Sequence, residues 1–171
     1  MKSLFALLCL LPALLLAQPA PSKPDWSACQ FLIGEWTGGG GGSPGQGTGS
    51  FIFAPDLQGR VITRKNIAEY PATKDQPAYR HDDLMVIYQL PDHATRADYY
   101  DNEGHVIRYG VEFAADKNAV IFLSDSLAGQ SRYRLTYTRT DSADVTIRFD
   151  VAVPGSGEGF KTYIQATAHK K

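Results

Sequence analysis

The 171-residue chain carries 17 Lys and Arg against 18 Asp and Glu, and 43% of it is hydrophobic, 11% aromatic. That balance offers no basic surface for nucleic acid and no low-hydrophobicity signature of a disordered chain. The two cysteines, one of them inside the apolar start, exclude a disulfide framework.

In chain order, Met1-Lys2-Ser3 and the apolar run at 4–17 read as the n-region and h-region of a secretory signal. The run is about 14 residues long, short of the roughly 20 that a bilayer-spanning helix needs. It is also interrupted by Pro12. Cys9 follows Leu8, where a lipoprotein signal places a small residue, so no lipid anchor is expected. The boundaries are therefore a signal at 1–17, a flexible Pro-rich leader at 18–24 and one domain over 25–171. Loss of Lys2 leaves 16 cations against 18 anions. A mature chain of roughly 150 residues suits one domain with a complete core. It is expected in the periplasm or the extracellular space, with no nucleic-acid partner and no membrane attachment after signal cleavage. Cys29, then alone, sits in the apolar stretch 26–33 and reads as a buried, inert thiol.

Asp25 is placed to cap a short helix over 26–32, with Gly34 as its stop. Beyond it the period changes to two. Segments rich in Val, Ile, Tyr, Phe and Thr predict strands near 35–40, 47–55, 60–70, 83–90, 94–101, 105–114, 118–124, 130–139, 144–152 and 159–168. The glycine run GGGGGSPGQGTG at 38–49 lacks the Lys-Ser or Lys-Thr of a phosphate loop and reads as a flexible hairpin connection. The clearest hairpin is Asn102-Glu103-Gly104 between 95–101 and 105–109. A bulged turn there sets Asp101 opposite His105, Tyr99 against Ile107 and Asp98 against Arg108. Ala97, Tyr99, His105, Ile107, Tyr109, Val111 and Phe113 then share the inner face. A sheet of about ten such strands avoids hazardous edges by closing. The predicted fold is all-β: a closed up-and-down antiparallel barrel with a short N-terminal helix.

Closure gathers Tyr99, His105, Tyr109, Tyr133, Tyr137 and Phe149 on inner faces, as a lining for a small apolar or amphipathic molecule. Arg64 and Asn66 alternate with Ile62 and Ala68; on an inner face they would orient a polar ligand group, on an outer one they are surface residues. His81 and Asp83 share one face, two ligands where zinc needs three or four. Asp101 beside His105 is the nearest approach to a catalytic pair, and it reads first as hairpin structure. Ser124, Ser126 and Ser131 lie outside any Gly-x-Ser-x-Gly context, so no activated nucleophile is expected.

At Phe31-Leu32-Ile33-Gly34-Glu35-Trp36-Thr37-Gly38-Gly39-Gly40 the chain resembles the first-strand motif of lipocalin-like barrels, a short helix followed by Gly-x-Trp-x-Gly-x-Gly. It is most similar to bacterial exported lipocalin-like domains of unknown function and, more distantly, to the nitrobindin haem barrels. The resemblance implies a barrel with Trp36 as the plug of one end. For haem, nitrobindins use a His on the last strand, and the matching position here holds Thr162 or Tyr163, with His169 beyond it. No cofactor is therefore expected, and haem would have to take Tyr163 or His105.

Overall fold

A computed structural model describes residues 22–42 and 44–171. The signal read at 1–17 and the start of the leader lie outside the described residues. Ten strands follow one another: β1 (Gly34–Gly42), β2 (Gly47–Asp56), β3 (Val61–Tyr70), β4 (Tyr79–Gln89), β5 (Thr95–Asp101), β6 (Val106–Phe113), β7 (Ala119–Ser124), β8 (Arg132–Arg139), β9 (Asp144–Ala152) and β10 (Lys161–Lys170). Each pairs antiparallel with its neighbours in sequence, and β1 pairs with β10 to close the barrel. The period-two reading has a simple cause: one residue in two faces the barrel interior, so apolar alternation marks a strand whose inner residues are apolar.

The expected helix is a single 3-10 run, Ser27–Leu32. So short a segment gains little from the cooperative bonds of an α-helix. The Asp25 carboxylate accepts from the amide and hydroxyl of Ser27. The hairpin register matches the expectation, with Asp98 paired to Arg108 and Tyr99 to Ile107.

The glycine run is the larger correction. It is strand, not a flexible connection: Gly38, Gly40 and Gly42 lie in β1, Gly47 and Gly49 in β2. A methyl on Gly38, Gly40 or Gly42 would run into the backbone of β10, and one on Gly49 into that of β3. Bare backbone lets the sheet fold over itself at a sharp corner. Gly40→Ala should therefore cost about 1 to 3 kcal/mol, the usual range for overpacking. Gly110→Ala on β6 should be neutral, because its methyl would meet only ordinary contacts at 3.8 Å. Urea unfolding of the two variants checks this, and equal midpoints would remove the corner.

One end of the barrel is closed. The Ser27–Leu32 segment lies across it, with the turns that follow β2, β4, β6 and β8. Trp36 is 2% exposed, donates from Nε1 to the Leu32 carbonyl at 2.8 Å and stacks on Phe51 at 5.9 Å. Phe51, Phe53, Phe122 and Tyr137 continue inward through edge-to-face contacts. Trp26, although close to the leader, also belongs to this end: it packs on the core and donates to the Gly59 carbonyl at 2.9 Å. Cys29 is buried, and burial pushes its thiol up to about 12, which keeps it protonated.

Candidate functional site: a buried polar ladder

The far half of the barrel is built differently. β3 and β4 pair Arg64 with Met85, Asn66 with Asp83 and Ala68 with His81, and β5 sets Tyr99 against Met85 and Asp101 against Asp83. Alternation sends Arg64, Asn66, His81, Asp83, Tyr99 and Asp101 to one side, the side on which Ile62, Met85, Ile87 and Ala97 are fully buried. Arg64 and Asn66 are thus interior residues. The side chains of Arg64 and Asp83 are 6% and 2% exposed.

Asp83 Oδ2 accepts from Arg64 Nη2 and from Asn66 Nδ2, both at 2.8 Å. His81 Nε2 lies 3.4 Å from the same oxygen and 3.0 Å from the Tyr99 hydroxyl. Tyr99 in turn donates to Asp101 Oδ2 at 3.2 Å. Asp101 takes the amides of Glu103 and His105 on Oδ1 and the His105 ring on Oδ2. His81 Nδ1 reaches Glu103 at the rim, 2.8 Å away. A continuous ladder runs from the guanidinium in the interior to the β5–β6 hairpin in solvent.

Electrostatics sort its members. Hydrogen bonding to Asp83, against the cost of burial and with help from Glu103, raises His81 from 6.5 to about 9, so the ring is a cation at neutral pH. Burial pushes up the phenols of Tyr99, Tyr109 and Tyr137, the last to about 12, and they remain neutral donors. For Arg64, burial favours loss of the proton, but Asp83 and the surrounding phenols outweigh it and the guanidinium stays charged.

The sign of the His81 effect follows from linkage. A folded-state value above the unfolded one adds stability that is complete below pH 6.5 and disappears as pH rises through about 9. The stability gap between the native chain and His81→Gln should accordingly be widest near about pH 6 and shrink by about pH 10, read by urea unfolding at both values. A gap independent of pH would take the charge away from His81.

The expected lining residues divide between the two halves. Tyr109 and Tyr137 are each 1% exposed and packed into the aromatic core. Tyr99 stands on the ladder. Tyr133 and Phe149 stack on each other at 5.8 Å, half-buried on β8 and β9, and Tyr163 meets the Phe149 ring edge-on. They form an aromatic shelf across the ring of strands from the ladder. His105 belongs to the hairpin tip, its side chain 60% exposed and held by Asp101. Sequence reasoning weighed His81 and Asp83 only as metal ligands and did not single out Tyr70 and Tyr79, whose rings stack at 4.6 Å at the barrel mouth. Beside those two rings, Gln46, Gly47, Thr48, Glu69, Pro71, Ala78 and Arg80 border an open hollow of about 710 Å³.

Thr162 donates its hydroxyl to Asp150, His105 is committed to Asp101, and His169 is paired with Asp144. Among the described residues no group of three or more His, Cys, Asp and Glu side chains is placed to hold a metal ion.

No protein-family model matches the chain, and no curated protein matches it. Among solved structures it is similar to a de novo designed fluorescence-activating β-barrel, with 12% sequence identity over 84% of this chain and 97% of that one, at a TM-score of 0.44.

Proposed function

We propose that the mature chain is an exported lipocalin-like binding protein, of the periplasm or the extracellular space, that holds one small amphipathic molecule in the far half of its barrel. The observation that carries this reading is the division of that half. A polar ladder on β3, β4 and β5 faces an aromatic shelf of Tyr133, Phe149 and Tyr163 on β8, β9 and β10. Buried ionic groups cost stability relative to apolar ones of the same shape, so a barrel that retains them needs another use for them. A polar head on the ladder and an apolar body on the shelf would make that use, as ligand pockets combine a largely apolar lining with a few placed polar groups. The reading assigns binding and no bond-making chemistry.

Native mass spectrometry of the protein purified from its own host tests it. A small mass that stays bound through gentle ionisation and leaves on denaturation is the expected result. A bare mass, together with binding of the dye ANS only when the protein is partly unfolded, would overturn it. A Soret band in the same preparation would move the ligand to haem.

A further inference from the structure

The Asp150 side chain is as buried as that of Asp83, yet it lies on the other side of the barrel wall. β9 turns Val145, Ile147 and Phe149 inward, so Thr146, Arg148 and Asp150 face out. Asp150 is nevertheless 2% exposed, because its neighbours cover it. Its Oδ2 accepts from Arg134 Nε and Nη2 and from Arg148 Nε at 2.9 to 3.1 Å, and its Oδ1 accepts from the Thr162 hydroxyl at 2.9 Å. Two guanidiniums therefore share one carboxylate, and one positive charge is left over. The other charged side chains of this face do not cancel it. Arg132 is taken by Glu158 and Asp144 by His169. Asp141 sits in the closed-end turn, where it holds the amides of Ala143 and Asp144. Glu112 on β6 stands three strands from Arg148, about 14 Å away at the usual strand spacing.

Beside Arg148 the wall is hollowed. The register sets Thr136, Arg148 and Gln165 in one row across β8, β9 and β10, and Thr138 with Thr146 in the next. These five side chains, with the backbone of Ile147, border a depression of about 200 Å³. Each of the five can donate, and no carboxylate borders the hollow. Thr136, Thr138, Thr146 and Gln165 make no side-chain hydrogen bond to a described residue. Arg148 commits only Nε, which leaves Nη1 and Nη2 unbonded on a side chain that is 50% exposed. Asp150 keeps two bonds from Arg134 and one from Thr162 when the Arg148 fork turns into the hollow.

We propose that this hollow is a second binding site, for a tetrahedral oxyanion such as inorganic phosphate or sulfate. It stands on the outer wall and does not depend on what the barrel holds. Hydroxyls and an amide alone would serve a sugar as well; the surplus guanidinium selects the anion. A phosphate or sulfate presents oxygens in several directions, enough for a fork on one side and hydroxyls on the other. A planar carboxylate has two oxygens to offer, and chloride has no geometry that the fork can match. Because the hollow opens to water, the bound ion is not sealed in an apolar interior.

Two-dimensional NMR of the labelled mature protein at low ionic strength, with the arginine Nε–Hε signals included, tests the proposal. Phosphate and sulfate should shift Arg148 Nε–Hε and the Thr146 amide along one saturable curve. Acetate and chloride should bind about tenfold or more weaker, the factor for one charge-assisted hydrogen bond. Arg148→Ala should lower phosphate affinity by a similar factor. Arg108→Ala, which removes an outward arginine of β6 opposite Asp98, should leave it unchanged. If Arg148→Ala does not fold, Thr138→Val with Thr146→Val, which keeps the shape and leaves the bonds of Asp150 alone, should weaken phosphate binding several-fold. Shifts that grow linearly with phosphate and chloride alike, or an affinity unchanged in these variants, would overturn the proposal. Saturable binding of glucose in preference to either anion would also overturn it, and would make the hollow a sugar site.

Discussion

Asp83→Ala should destabilise the fold by about 3 to 5 kcal/mol, because it leaves the Arg64 guanidinium buried without its counter-charge. It also removes one of two carboxylates that hold His81. The size of the loss comes from the partner left behind. Replacing both members at once, Arg64→Met with Asp83→Leu, should recover most of that loss, since no guanidinium is then left without its counter-charge, and the remainder is what Asn66 and His81 lose with Asp83 Oδ2. Urea unfolding of the single and double variants measures the contrast. A double variant as unstable as the single one would mean that the ladder supports the barrel on its own account.

Trp36→Ala should cost a similar amount, about 3 to 5 kcal/mol, by deleting the ring that closes the barrel end and leaving a cavity beside Phe51. The Leu32 carbonyl also loses its donor. Trp26→Ala should cost clearly less, because Trp26 is only partly buried and its bond to Gly59 sits near the surface. Thermal melts of the two variants give the order directly. Equal melting temperatures would remove Trp36 from its place as plug.

Most of the barrel is legible in the sequence because alternation reports a sheet buried on one side. It works wherever the inner residues are apolar, as at Tyr137, Leu135 and Tyr133 on β8 or Val145, Ile147 and Phe149 on β9. The same rule fails where the inner residues are polar. Tyr79-Arg80-His81-Asp82-Asp83 looks like a connection, so β4 is read from 83 when it starts at Tyr79. The four residues lost are the ones that bring His81 beside Tyr99 and Glu103. Arg64 and Asn66 stay ambiguous for a related reason: their side is decided by Asp83 opposite Asn66, and that pairing is invisible until β4 has its true length. The glycines of β1 mislead in the other direction. Chain flexibility is the common meaning of such a run, and the close approach of β10 that makes glycine necessary is a contact across almost the whole chain.

That seam between the first and last strands bears on how the chain folds over time. Nine of the ten strand pairings join neighbours in sequence and can form as local hairpins; β1 with β10 is the exception. The two partners are separated by nearly every other strand, so bringing them together carries the largest loop-closure entropy. Until Lys171 donates its amide to the Glu35 carbonyl, both strands are open edges, each able to pair with another molecule. A shortened or obstructed C-terminus would then leave hairpins that form at the ordinary rate and a barrel that closes late. Concentration-dependent association during refolding, more than a lowered melting temperature, would be its mark.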